Sequence, residues 1–440
     1  MRALYFFCWL IFGYGLRLFY RKIVVLNSKR NSEGSTIFIS NHPASFMDPL
    51  IVSRFNKANV FFLTRSDVFT PLTNPFFKSA HMLPIYRQQD GGNTNEKNKE
   101  VFQKCSDVLL KNKNILIFGE GLTDDVFIRR VKPLKKGALR IGFTALETCG
   151  WKKKIYISIV GINYSQANLV GSDILLSNSD KICLNDFREA YEENPSRTIS
   201  AINRDLEILM QDQLTHVESI ENVSLHEDIM MLTRKGMHPI CFDDDLSLEQ
   251  RWNYSKSLAI WLNKQDESVL NELKSMIIEY RKNLSLMKIS ENNRYLKAHN
   301  KWNLFQNFCR FTILLPFAIL GILHAGIPYI LVKKLVEKRF KRDVFWASVK
   351  LILAMSIIGL INIPILFLGT KLFPCLGLQE ASIYVSLYFL SIGIFAYTAY
   401  ECKLLISRFW NQFQMRNIDL SSLNEQQEII INKINQDIPL

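Results

Sequence analysis

The rhythm of apolar positions changes along this chain. Between residues 35 and 164 they fall into short runs: STIFI (35–39), VFFL (60–63), HMLPIY (81–86), ILIF (115–118) and IYISIVGINY (155–164). These runs are rich in β-branched and aromatic residues and are bounded by turn formers, so they predict strands. Two segments between them repeat with helical period. Over Asn95–Lys111, Val101, Cys105, Val108 and Leu109 share one face behind Thr94 as an N-cap, and Lys136–Cys149 is a second helix. Strands alternating with helices predict an α/β fold over 25–184, a mixed sheet flanked by helices. From 185 to 308 the period is helical and the residues are charged, as in ISAINRDLEILMQDQL and SVLNELKSMIIEYRKNL. That stretch reads as one soluble helical region with no catalytic constellation.

Beyond 308 come three long apolar segments, 311–332, 349–368 and 381–400, within a membrane region of 309–408. The loop KKLVEKRFKRD (333–343) carries six Lys and Arg, and the positive-inside rule makes it cytoplasmic. The 371–379 linker has a single Lys. Segments 349–368 and 381–400 therefore read as an in–out–in pair leading to a cytoplasmic tail, 409–440. Segment 311–332 holds Pro316, Gly321, Gly326 and Pro328 between basic flanks. It is expected to bend and re-enter, provided protein covers the broken backbone; a straight crossing is the alternative, and would put 185–300 outside. His324 within it is a functional candidate by default, or more modestly a turn-lining residue. At the N-terminus the apolar run Ala3–Leu16 is short for a span and has no Ala-x-Ala cleavage site. With Arg17, Arg21 and Lys22 behind it, 1–24 predicts an interfacial helix, or alternatively a buried core helix.

Charge fits this layout. The net charge of +13 suits either nucleic acid or an anionic membrane. The basic runs flank the membrane segments and no nucleic-acid-binding module is evident, so membrane lipid is the expected partner. The eight cysteines form no C-x-x-C pair. No zinc framework or secreted disulfide scaffold is implied, and a reducing, cytoplasm-facing location is the simpler reading.

Candidate chemistry begins with NHPASFMDPL, residues 41–50. A strand delivers His42 to its C-terminal end, where sites of α/β sheets lie. A neutral imidazole can take the proton of a poorly nucleophilic alcohol if a carboxylate holds its other nitrogen. Asp48 supplies that carboxylate if the turn folds back. Alone, the pair is weak evidence, and a satisfied surface histidine is the default reading. Three more strand ends add weight: HMLPIYR (81–87), IFGEGLTD (117–124) and ISIVGINY (157–164).

In order and spacing these four stretches resemble the motif blocks of the glycerolipid acyltransferase superfamily, N-H-x-x-x-x-D, G-x-I-P-I-x-R, F-P-E-G-T-R-S and a V-P-V-like strand. With PLKKGALRI (133–141) and V-G-I-N-Y (160–164), they look closest to yeast-type glycerol-3-phosphate acyltransferases and their bacterial relatives. The resemblance spans roughly 30–180. It implies an α/β acyltransferase domain in which His42 is the general base and Asp48 orients it, with no acyl-enzyme. Ser45 as a nucleophile is disfavoured, since no second histidine is placed for it. Asn41, Arg87, Gly119, Glu120, Gly121 and Lys136 are the implied substrate-binding residues. Arg87 would fork onto an acceptor phosphate, Glu120 would bind glycerol hydroxyls or brace Arg87, backbone amides near Gly119 and Gly121 would meet anionic oxygen, and Lys136 would touch phosphate from a helix start.

The sequence departs from the family in four ways. Five residues rather than four separate His42 from Asp48. Gly119 replaces a Pro, Leu122–Thr123 stands where Thr-Arg is common, and Ile159 stands for a Pro. Arg129, Arg130, Lys135 or Lys136 would then have to replace the missing arginine. The implied activity is transfer of a fatty acyl group from acyl-CoA or acyl carrier protein to glycerol-3-phosphate or 1-acylglycerol-3-phosphate, with no metal or cofactor, on the cytoplasmic face of a membrane. Acylation of another lyso-lipid, including an amine-containing one, and a non-catalytic acyltransferase-like scaffold are the alternatives.

Overall fold

Strands whose residues are apolar without alternation need cover on both faces, and the chain provides it. The computed structural model describes residues 2–28, 34–56, 60–86, 94–121, 123–299, 303–375, 377 and 380–437. They fall into two compact units, one of Met1–Val223 with Asp245–Asn263, the other of Ser224–Asp244 with Lys264–Leu440.

The first unit opens with α1 (Arg2–Phe19) and β1 (Lys22–Leu26), followed by β2 (Ser35–Ser40), α2 (Met47–Phe55), β3 (Val60–Arg65), α3 (Asn74–Ser79) and β4 (Met82–Ile85). It continues through α4 (Thr94–Leu110), β5 (Asn114–Phe118), α5 (Gly137–Thr148), β6 (Ile155–Tyr164), β7 (Asp173–Asn178), β8 (Ile182–Cys183), α6 (Arg188–Glu193) and α7 (Pro195–Asp212). After α8 (Val223–Thr233) the chain returns to this unit with α9 (Leu248–Leu262). One eight-stranded mixed sheet runs in the order β1-β7-β6-β2-β5-β3-β4, with β8 also on β6. From β6 to β4 every pairing is parallel, whereas β7 and β8 lie antiparallel to β6. The C-terminal ends of β6, β2 and β5 therefore sit side by side on one edge. Beneath them Ile37, Ile115 and Ile157 pack with Leu139 and Phe143 of α5 and Ile202 and Leu206 of α7.

The five predicted strands and two predicted helices are all present, with ends shifted by a residue or two. Two expectations change. The stretch 1–24 is not all helix, because Lys22–Leu26 pairs with β7 as a parallel strand. In α1, Phe6, Phe7 and Leu10 are exposed while Leu16 is fully buried, so it exposes an apolar face yet anchors its last turn in the core. The helical region expected over 185–308 is divided between the units. α7 and α9 pack on the sheet, since their apolar residues Ile199, Ile202, Leu206 and Leu258 are buried there.

The second unit contains α8, α10 (Glu267–Leu286), α11 (Glu291–Ala298), α12 (Leu304–Gly321), α13 (Ile327–Arg339), α14 (Trp346–Ile361), α15 (Ile363–Cys375), α16 (Ala381–Gln414) and α17 (Ser421–Asp437). Leu304–Arg339, Asp343–Leu372 and Ala381–Gln414 are long and apolar enough to cross a membrane, which supports an integral membrane protein. Segment 311–332, expected to reverse, lies inside a continuous helical run. A π-helical segment, Ile322–Gly326, joins α12 to α13. Its glycines keep helical φ, and Pro328 falls in the first turn of α13, where a missing N–H breaks no bond. Gly321 has a packing reason: a Cβ there would lie 2.0 Å from the Phe395 carbonyl oxygen of α16. The tail is not loose, since α17 packs on α10 and Arg294 Nη1 donates to Asn424 Oδ1 at 2.6 Å.

In the first unit a buried carboxylate ties the sheet margin to the helices. Asp173 of β7 accepts from Arg21 Nε at 3.0 Å and from Arg251 Nη1 of α9 at 2.9 Å, and both Asp173 and Arg251 are buried. Removing one partner of a buried pair leaves an unpaired charge and costs about 3–5 kcal/mol. Asp173→Ala should therefore lower the unfolding midpoint in detergent sharply. A midpoint within a degree or two of wild type would show that Arg251 is not held by this carboxylate.

Candidate active site

The six-residue step from His42 to Asp48 closes through a tight turn. After β2 ends at Ser40, the Ala44 carbonyl accepts from Met47 N–H and the Ser45 carbonyl from Asp48 N–H. Ser45 takes φ +51°, an uncommon left-handed conformation that turns the chain into α2. Asp48 then lies in the first turn of that helix and points back under the loop. His42 Nδ1 donates to Asp48 Oδ2 at 2.8 Å, and Ala44 N–H donates to the same oxygen at 2.8 Å. The longer spacing is thus one wider turn, and it brings the pair together.

Asp48 is fully buried, so each of its oxygens needs a donor. Oδ1 receives one from the Tyr164 hydroxyl at 2.7 Å, across 116 residues of sequence, from the end of β6. The imidazole stacks on Phe118 at the end of β5, with centroids 4.0 Å apart, and keeps 22% of its side chain exposed. With Nδ1–H held by the carboxylate, Nε2 carries the lone pair available to a reactant.

Glu120 follows β5 and is also buried. Its Oε2 accepts from His42 N–H and its Oε1 from Lys132 N–H, both at 3.3 Å. The carboxylate thus ties the histidine loop to the 131–135 loop. Burial raises its pKa above the usual carboxylate range, against the two amide hydrogen bonds, which lower it. Gly119 is packed so closely that a Cβ would come within 2.7 Å of Leu134 Cδ2 and 2.8 Å of Ile39 Cγ2. Gly121 has φ +77°, and the stem of Lys135 passes over it. The Lys135 N–H donates to the Gly119 carbonyl at 2.8 Å.

His42, Asp48, Gly119, Glu120 and Gly121 therefore meet at adjacent strand ends. Asn41 does too, but its amide is occupied: Oδ1 accepts from Ile162 N–H at 2.8 Å and Nδ2 donates to Ile162 O at 3.0 Å, clamping β2 to β6. Lys136 is exposed and its ammonium donates to Ser200 Oγ of α7 at 2.7 Å. Arg87 lies outside the described residues. Arg129 is buried and donates to the carbonyls of Tyr164 and Ser165 at 2.6 and 2.8 Å, while the Lys132 ammonium pairs with Asp124 at 2.7 Å. Sequence alone did not single out Tyr164 or Lys132. Tyr164 closes the fourth block, but no local spacing connects it to Asp48. Among the described residues no group of three or more His, Cys, Asp or Glu is arranged to hold a metal ion.

A model of the family described as Acyltransferase matches residues 22–165, well under half of the chain. That stretch holds β1 to β6 and every residue of the site just described. No curated protein matches the chain. The family match makes acyl transfer the general class of chemistry, carried by a chain with membrane-spanning helices.

The raised pKa of Glu120 has a signed consequence. A carboxyl that ionises later in the folded than in the unfolded state supports stability at acid pH, and that support is lost as pH rises through its folded pKa. Glu120→Gln removes the titration and leaves one acceptor oxygen for two amides. Denaturation of both proteins across the acid range should show wild type's advantage over the variant greatest at low pH and shrinking as pH rises. A constant difference would mean that Glu120 titrates like a solvated glutamate.

Proposed function

We propose that this chain is a membrane O-acyltransferase moving a fatty acyl group from acyl-CoA or acyl carrier protein to glycerol-3-phosphate or 1-acylglycerol-3-phosphate, in phospholipid biosynthesis. The observation that carries the proposal is the His42–Asp48 pair, a part-exposed imidazole on a buried carboxylate, beside Glu120, inside the stretch that matches the acyltransferase family. His42 Nε2 takes the acceptor's hydroxyl proton as that oxygen attacks the thioester carbon. The imidazolium that forms faces the Asp48 carboxylate. Collapse of the tetrahedral adduct breaks the carbon–sulfur bond, and the proton passes from imidazolium to the leaving thiolate. One ester and one free thiol result, with no covalent enzyme intermediate.

Acceptor binding follows from the same loops. The Lys135 stem passes over Gly121, and in this proposal its ammonium replaces the family's missing third-block arginine, with Arg87 the second cation for a phosphate. Leu122–Thr123 at that block favours one second reading, acylation of a different lyso-lipid, including an amine-containing one. The catalytic unit faces the cytoplasm in this proposal, where soluble thioester donors are made, and hands its apolar product to the adjoining leaflet.

The test is acyl transfer by purified protein in detergent, wild type beside His42→Ala. Labelled glycerol-3-phosphate and 1-acylglycerol-3-phosphate would each be offered with acyl-CoA and with acyl carrier protein. Loss of a general base should cost on the order of 10²–10⁴ in rate. Turnover that survives in His42→Ala would end the assignment. Folded wild type that acylates neither acceptor would move it to another lyso-lipid.

A further inference from the structure

Resting on that function, we infer that Tyr164 is a positioning residue for the acyl-transfer base. Asp48 has three donors: His42 Nδ1 and Ala44 N–H on Oδ2, and the Tyr164 hydroxyl on Oδ1. A carboxylate turns about its Cβ–Cγ bond unless both oxygens are held. The phenol holds the second one, which fixes the line from Oδ2 to the imidazole. Tyr164 is itself immobilised. Its ring is fully buried beside Tyr20, at 5.9 Å between centroids, and its carbonyl accepts from Arg129 Nη1. Burial and the neighbouring Asp48 both push the phenol's pKa well above its usual value, so it remains a donor.

Tyr164→Phe keeps the ring and removes the donor. Negative charge then concentrates on the oxygen facing His42, which favours imidazolium. The acid limb of the pH–rate profile should move to higher pH and kcat should fall roughly ten- to hundred-fold with little change in KM, the effect expected for a hydrogen bond to a charged group. An unmoved profile with kcat unchanged, while His42→Ala is inactive, would overturn the role of Tyr164 and leave the base assignment standing. Activity in His42→Ala would instead overturn the base assignment itself.

A separate observation concerns the membrane helices. His324, in the π-helical segment, donates from Nδ1 to Asn362 Oδ1 at 2.8 Å, and its Nε2 accepts from the Tyr388 hydroxyl at 2.7 Å. Asn362 Nδ2 returns a bond to the His324 carbonyl at 3.1 Å. Asn362 is the break between α14 and α15, so these bonds fix its depth. Lys350 of α14 pairs with Glu337 of α13 at 2.7 Å, so α14 descends antiparallel to α13 from Lys350 to Asn362. Arg310 of α12 pairs with Glu401 of α16 at 2.7 Å, and Phe317 stacks on Phe395, so α16 runs antiparallel to α12.

Ala381, seven residues before Tyr388, therefore sits ~10 Å from the Asn362 level, toward the Lys350 end. If α15 continued past Asn362 in the direction of α14, its 13 residues would carry Cys375 ~20 Å the other way. The gap to Ala381 would then be ~30 Å, and the six links available reach at most ~21 Å. The structure thus assigns 343–375 to a re-entrant helix pair. It turns at Asn362, which is held by His324 (itself bonded to Tyr388), and leaves on the face it entered. Only Leu304–Arg339 and Ala381–Gln414 cross. With two crossings the tail returns to the side of α10 and α11, as its packing on α10 requires.

Single cysteines at Glu193, Lys341, Glu380 and Asn417, in a background lacking the eight native cysteines, would be probed with an impermeant maleimide in sealed vesicles. Lys341→Cys and Glu380→Cys should label from one side, and Glu193→Cys and Asn417→Cys from the other. Protease access to a C-terminal tag on the native-cysteine protein gives the same parity without those replacements. Labelling of Glu380→Cys together with Glu193→Cys would make 343–372 a true crossing and overturn the hairpin, as would all four positions labelling from one side.

Discussion

A carboxylate without solvent is the constraint on which the catalytic unit depends. A buried carboxylate such as Asp48 is costly unless its oxygens meet donors. Its donors come from the loop after β2 (His42 and Ala44) and from the end of β6 (Tyr164), while Asp48 itself sits in the first turn of α2. Satisfying one buried group therefore fixes how three elements meet. Asn41 adds a second tie between β2 and β6, and Glu120 ties the β2 loop to the loop before α5. Each tie lies at the C-terminal edge of parallel strands. There the backbone ladder ends, and side chains must take over the pairing of exposed amides.

This economy explains why some residues implied as substrate contacts serve the scaffold. The Asn41 amide is saturated by Ile162, and both Glu120 oxygens accept backbone N–H groups. What remains open to a reactant is His42 Nε2, with Gly121 and the Lys135 stem beside Glu120. A motif carries two kinds of requirement, the chemistry and the bonds that hold the chemistry in place. Letters alone do not separate them, because a carboxylate that braces a loop and one that meets a hydroxyl are the same letter.

Legibility in the sequence followed the range of the interaction. β2, β3, β5 and β6 are continuous apolar runs and could be read directly. The His42–Asp48 pair was legible as a possibility because its turn is local. β1 was hidden, since KIVVL follows an apolar helix without punctuation and becomes a strand only by pairing with β7. Tyr164 was quoted within a motif, yet its bond to Asp48 is set by sheet order, which no spacing encodes. The division of 185–308 between two units was equally out of reach. α7 and α10 show the same helical period, and only the partner of each apolar face distinguishes them.

In the membrane region two sequence signals compete. Prolines and glycines at 316–328 invite a break, but α12 runs through Pro316, Pro328 falls in the first turn of α13, and Gly321 sits where the Phe395 backbone comes close. The actual interruption falls at Asn362, between Gly359 and Pro364, a weaker cluster of the same signals. There a polar side chain bonds its own helix at Ile358 O and a histidine of the π-helical segment between α12 and α13. Charge bias then opposes chain geometry. Six Lys and Arg at 333–342 favour the cytoplasm for that end, whereas the bonded helices place it opposite to α10 and the tail. The bias acts on short loops during insertion. The bonds among His324, Asn362 and Tyr388 act on the folded bundle, where an unpaired polar group costs more than in water. Parity is set by those bonds, and with the catalytic unit on the cytoplasmic face, as proposed above, the six charges lie on the opposite side.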